Sequence, residues 1–201
     1  MIAIIDYGAG NIFSVKNALD HLGLENALVS DEKSVRDADA VILPGVGAFP
    51  AAMNKLNESG LVDVIKEEAA KKPFLGICLG MQVIFSKCYE FGETDGLGLI
   101  EGSVIKMDEP DLIIPHMGWN SLHVLRDDPL FRYFRDGEYV YYVHSFYAHN
   151  CAASTLAVSQ YGNVAVTGVV RSGNVWGTQF HPEKSGEVGL TILRNFAGLN
   201  C

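Results

Sequence analysis

The 201-residue sequence predicts an α/β fold in which a central, mixed and mostly parallel sheet is covered by helices and extended by an antiparallel region. Two observations predict it. Through the first half, short apolar runs alternate with amphipathic patterns, as parallel strands joined by crossover helices are written. Through the second half, β-branched and aromatic runs follow one another at hairpin spacing, with no helical pattern between them.

The elements are read in order. Residues 2–5 form a buried strand, followed by Gly8-Ala9-Gly10 and a helix with Ile12, Val15, Leu19 and Leu22 on one face. A second strand is expected near residues 27–29 and a third at 40–43, ending in Pro44-Gly45-Val46-Gly47. Residues 51–72 read as mostly helical with a break near Gly60. The strand 74–77 then runs directly into Cys78-Leu79-Gly80 and a helical stretch beginning at Met81-Gln82. In the second half, residues 104–107, 120–125, 139–148, 155–159, 164–171 and 175–180 read as strands. A last amphipathic helix carries Val188, Ile192, Leu193 and Phe196.

At this length one core suffices, and a single domain over 1–201 is expected. The 48% apolar content excludes a disordered or fibrous chain, and a net charge of −9 argues against a nucleic-acid module, which needs clustered cations. The amino-terminal apolar run is too short for a signal peptide or a membrane span, so a cytoplasmic protein with no membrane contact is expected. Cys78, Cys88, Cys151 and Cys201 have neither metal-ligand spacing nor the density of a disulfide framework. Three of them read as packed, reduced thiols, and neither a metal nor a cofactor is expected.

Cys78 differs because of its setting. Gly76-Ile77-Cys78-Leu79-Gly80 reproduces the nucleophile elbow G-x-S-x-G with cysteine in place of serine, at a strand-to-helix junction. The turn raises the sulfur above the sheet edge beside a helix amino terminus, which favours thiolate. His181-Pro182-Glu183 follows the strand 175–180, and extended backbone before the proline puts the imidazole and carboxylate on one side. The pattern fits an oriented general base for Cys78. Pro44-Gly45-Val46-Gly47 ends a parallel strand at the same edge. A backbone N–H there, with that of Leu79, would hold a tetrahedral oxyanion, at ~3 kcal/mol per donor. Gly8 and Gly10 do not make a dinucleotide site, since Phe13 occupies the third glycine position. His21 and His123 read as surface residues. Pro115-His116-Met117-Gly118-Trp119-Asn120 reads as a poor regular element, equally a core-packing loop or a partner surface.

The elbow and H-P-E, in that order and about a hundred residues apart, resemble the class I glutamine amidotransferases. Within that class, the P-G-V-G, P-H-M-G-W-N and H-P-E-K-S runs are similar to those of the glutaminase subunits of imidazole glycerol phosphate synthases, from histidine biosynthesis. The resemblance implies a flavodoxin-like three-layer sandwich that hydrolyses L-glutamine. It also implies a heterodimer with a (β/α)₈-barrel cyclase subunit, through which ammonia passes to make imidazole glycerol phosphate and an aminoimidazole carboxamide ribonucleotide. By matching positions it implies Cys78, His181 and Glu183 as the triad, and Leu79 with Gly45, Val46 and Gly47 as the oxyanion hole. Gly47, Gln82, Ser145 and Phe146 match glutamine-holding positions, and Asn11, Met117, Trp119, Asn120 and Lys184 match the partner-facing side. Phe146 departs from the tyrosine of many relatives. Two alternatives stay open: a glutaminase subunit of another synthase, such as pyridoxal phosphate synthase, and a non-amidase protein with a cysteine elbow.

Overall fold

The computed structural model describes residues 1–200. Strand β1 (Ile2–Ile5), helix α1 (Ile12–His21), β2 (Asn26–Val29), α2 (Glu32–Asp37), β3 (Ala40–Gly45), α3 (Phe49–Ser59), α4 (Val62–Ala69), β4 (Phe74–Cys78) and α5 (Leu79–Val83) make the first half. The second contains β5 (Phe85–Cys88), β6 (Thr94–Asp95), β7 (Ile100–Lys106), β8 (His116–Ser121), β9 (His123–Val124), β10 (Tyr139–His144), β11 (Phe146–His149), β12 (Thr155–Tyr161), β13 (Val164–Ser172), β14 (Val175–Thr178) and α6 (Gly186–Ala197).

The main sheet has the order β2-β1-β3-β4-β14-β13-β12-β9. Its first five strands are parallel, and β13, β12 and β9 extend it antiparallel. The parallel part has the 2-1-3-4-5 order of flavodoxin-like sheets, which places binding crevices beyond the carboxyl ends of the strands. Period-two alternation divides the core between the faces. Ala3, Ile5, Val41, Leu43 and Phe74 pack with Met53, Leu56, Val64 and Ile65 of α3 and α4. Ile2, Ile4, Ile42, Leu75 and Ile77 pack with Val15 and Leu19 of α1 and with Ile192, Leu193 and Phe196 of α6.

The break near Gly60 is a helix end, where Gly60 takes a left-handed conformation, φ 73°, between α3 and α4. Several expectations are corrected. The run 139–148 is two strands, broken at Ser145: β10 pairs with β8, and β11 pairs with β7. The run 115–120, expected to be irregular, lies mostly in β8, where six consecutive residues from His116 to Ser121 pair antiparallel with β10, and the strand expected at 120–125 is divided between β8 and β9. The helix after Cys78 is only five residues long. Helix α2 and strands β5 and β6 carried no sequence expectation, and β7 begins at Ile100, before the strand expected at 104–107. Cys201, read as a packed thiol, lies outside the described residues. Among the described residues no helix is long and apolar enough to cross a membrane.

Candidate active site

The carboxyl ends of β3, β4 and β14 converge on Cys78. Register pairs Gly45 with Cys78 and Ile77 with both Pro44 and Thr178. Cys78 itself is at φ 55° and ψ −110°, a region that β-carbons disfavour. The glycines on either side make that turn possible. A Cβ at Gly80 would lie 1.8 Å from the Leu43 carbonyl oxygen, and one at Gly76 would lie 2.5 Å from that of Gly80. The start of α5 therefore packs backbone to backbone on β3 and β4, and the chain must reverse sharply at the cysteine.

His181 follows β14 in extended geometry, and Pro182–Lys184 closes a 3-10 turn behind it. Its Nδ1 lies 2.8 Å from Oε1 of Glu183, with both side chains almost wholly buried. The contact is made by the turn, not by two residues along one extended strand. Ser185 fixes the turn: its hydroxyl donates to the His181 carbonyl at 2.6 Å and accepts the Tyr141 N–H at 3.0 Å. The His181 N–H donates to the Tyr141 carbonyl. Burial alone would lower the basicity of this imidazole. The neighbouring Cys78 and the hydrogen-bonded Glu183 outweigh it, and the pKa is pushed up to about 10. Neither His181 Nε2 nor Glu183 Oε2 has a hydrogen-bond partner. A thiol, an imidazole and a carboxylate so arranged can pass a proton from sulfur to nitrogen and hold the resulting charge pair. By contrast, burial pushes the Cys88 thiol up to about 11, and Cys151 is buried and free, so both are packing groups.

A cleft of about 460 Å³ opens over the sulfur, lined by Val46, Gly47, Cys78, Leu79, Gln82, Glu90, Ser145, Phe146 and His181 with Pro115, Val143 and His144. Gly45 is not on its wall; it is buried in β3, where Gly80 and Leu79 press against it. Gly47 takes φ 103°, so the peptide after Val46 turns at the rim. Tyr7 donates to the Pro44 carbonyl at 3.0 Å and anchors the strand end before this turn; burial raises its phenol pKa. Gln82 donates to the Phe146 carbonyl at 2.9 Å. The carboxylate of Glu90, also on the cleft wall, accepts the Phe49 N–H at 2.7 Å.

Of the residues matched to a partner surface, Met117 and Trp119 are 62% and 55% exposed, and Lys184 is exposed. Asn11 and Asn120 are half-buried. Strand alternation resolves the two readings of the P-H-M-G-W-N run. Met117 and Trp119 face outward, while His116 is buried, stacked between Tyr142 and Tyr161 at 4.7 and 4.1 Å.

Residues that the sequence reading missed are Tyr7, Glu90, His144 and Gln179. His144 Nδ1 lies 2.9 Å from the Phe146 carbonyl, so it carries a proton, and Nε2 must accept. His116 Nδ1, 2.9 Å from that Nε2, is then a donor. His116 Nε2 accepts from Asn120 at 3.3 Å. Both rings are neutral: burial lowers His116 to about 4 and His144 to about 3. Only His144, directly before Ser145, carried a local signal, as a histidine beside a matched position.

Among the described residues no group of three or more His, Cys, Asp or Glu is placed to hold a metal ion. The family model described as glutamine amidotransferase class-I matches residues 3–198. The chain is 52% identical over 200 residues to the imidazole glycerol phosphate synthase subunit HisH of Bacillus cereus (strain ATCC 14579), covering 99% of this chain and 95% of the relative. It is 50% identical over 198 residues to the subunit of the same name from Listeria monocytogenes serotype 4a (strain HCC23), covering 98% and 94%. A solved structure described as a glutamine amidotransferase superposes with a TM-score of 0.76 at 20% identity, covering 100% of this chain and 99% of that one.

Proposed function

The chain belongs to the class I glutamine amidotransferases, and from that premise we propose that it is the glutaminase subunit of an imidazole glycerol phosphate synthase, hydrolysing L-glutamine and passing ammonia to a (β/α)₈-barrel cyclase subunit. The observation that carries the reaction is the elbow cysteine, at left-handed φ, opening into the same cleft as the buried His181–Glu183 pair.

In this reading the Cys78 thiolate attacks the side-chain carboxamide carbon of glutamine. The C=O electrons move onto oxygen, where the N–H of Leu79 and one from the Gly45 to Gly47 run hold the charge. Collapse breaks the C–N bond, His181 gives its proton to the departing nitrogen, and ammonia leaves a glutamyl thioester. Water, deprotonated by the same imidazole, attacks the thioester; glutamate leaves and the thiol is restored. Gln82, Ser145 and Phe146 hold the substrate, with Glu90 suited to its α-ammonium. The Phe146 backbone carbonyl fixes Gln82 and His144, a task that does not use a ring hydroxyl. Met117 and Trp119, with Asn11, Asn120 and Lys184, face the cyclase.

Replacing Cys78 with alanine tests this. In the assembled complex, glutamine hydrolysis is expected to fall to background, while free ammonia still supports the cyclase reaction. Retained hydrolysis removes the nucleophile assignment. A chain that co-purifies with a pyridoxal phosphate synthase instead has another partner.

A further inference from the structure

Gln179 is fully buried, two residues before His181, and the reaction above gives it no task. The direction of its carboxamide follows from its neighbours. The Phe146 carbonyl only accepts, so the Gln82 atom 2.9 Å from it is the amide nitrogen. The same nitrogen lies 3.1 Å from the Gln179 side chain, and two nitrogens do not satisfy one another, so the facing Gln179 atom is its oxygen. The Gln179 nitrogen is thereby turned toward Cys78, at 3.9 Å from Sγ. His144 also donates to the Phe146 carbonyl, at 2.9 Å, and fixes the acceptor on which this orientation depends.

We propose that Gln179 is a further catalytic residue, whose carboxamide N–H is donated to the Cys78 sulfur from a side closed to water and favours thiolate over thiol. The inference rests on Cys78 being the nucleophile. His181 supplies a full charge, but as a proton carrier it loses that charge when it protonates the departing amide nitrogen. Gln179 is a neutral donor that stays in place through the cycle. Its bond weakens as the sulfur becomes a thioester and strengthens again when the sulfur leaves, so the same group assists both halves of the reaction.

The test is alkylation of Cys78 in the full-length chain by iodoacetamide, followed on the Cys78 peptide by mass spectrometry, because this reaction reads the thiolate without involving glutamine. Gln179→Met, close in volume but without a donor, is expected to slow alkylation at pH 7 about tenfold and to lower kcat in parallel. Gln179→Glu covers the case in which the methionine variant does not fold. It keeps an acceptor for Gln82 while setting a carboxyl against the sulfur, and slowing is again expected. Alkylation at the wild-type rate in a folded variant overturns the proposal. Unchanged alkylation together with an inactive Cys78→Ala removes Gln179 alone, whereas an active Cys78→Ala removes the nucleophile assignment beneath it.

Discussion

Glu183 has one oxygen on the His181 ring and the other buried without a partner, which is a costly way to place a carboxylate. Hydrogen bonding to the ring repays part of that cost by orienting it and by holding its positive form after the thiol proton has moved. Glu183→Gln keeps the volume and an acceptor but removes the charge. It is expected to lower kcat about a thousandfold with little change in KM, because the carboxylate acts by orienting the ring and holding its charge through the reaction, not by holding bound glutamine. Stability should fall, since the imidazole that this carboxylate helps hold in its charged form is left buried without its partner. Steady-state glutaminase assays of the complex, beside urea unfolding, check both halves; a kcat within about threefold of wild type would show that the carboxylate is not used in this way.

The β8–β10 ribbon is fastened across its width by His116 and His144, which are register partners and hydrogen-bond each other as neutral rings. Their folded pKa values lie below the ordinary histidine value, so the sign follows directly. Above pH 6.5 both states are neutral and nothing changes; as pH falls below it, the unfolded chain takes up protons that the fold refuses, and stability declines. Between pH 7 and 5 the loss is expected to be about 2 kcal/mol from His144 and less from His116, which is less deeply enclosed. Glu67, held well below the carboxylate range by Lys71 and Arg36, does not titrate in this window, and the raised His181 loses its contribution only as pH climbs toward about 10. Urea unfolding at the two pH values is the measurement, and equal free energies would contradict it. This ribbon was also the least legible element in the sequence. Apolar runs and glycine turns made the parallel strands, the elbow and H-P-E readable, because those depend on local pattern. His116–Ser121 mixes glycine, asparagine and aromatics, and becomes a strand only through β10. The break at Ser145 and the orientations of Gln82 and Gln179 arise from contacts between residues far apart in sequence, which no local pattern records.

Across the whole molecule, the sheet edge that carries Cys78 is also where apolar surface collects. Val46 lies on the wall of the cleft and shares a second hollow with Asn11, and Phe13 stands exposed two residues further on. Val143, also on the wall of the cleft, is the register partner of Met117, and Tyr141 is that of Trp119, whose ring meets it edge-on at 5.9 Å. Met117, Trp119 and Tyr139 are all more than half exposed, on a chain of net charge −9. Water is a poor neighbour for such a rim, and a partner seated on it would cover the mouth through which ammonia must otherwise escape. Trp119, large and central to the ribbon, is the anchor expected to dominate that contact. Trp119→Ala should weaken association with the barrel subunit about thirtyfold or more, measured by isothermal titration calorimetry. Because the side chain faces away from the His116–His144 pair, the fold and the alkylation rate of Cys78 in the free chain should be unchanged. If instead binding is intact and only the free chain loses stability, Trp119 is a packing residue of the ribbon and the partner sits elsewhere.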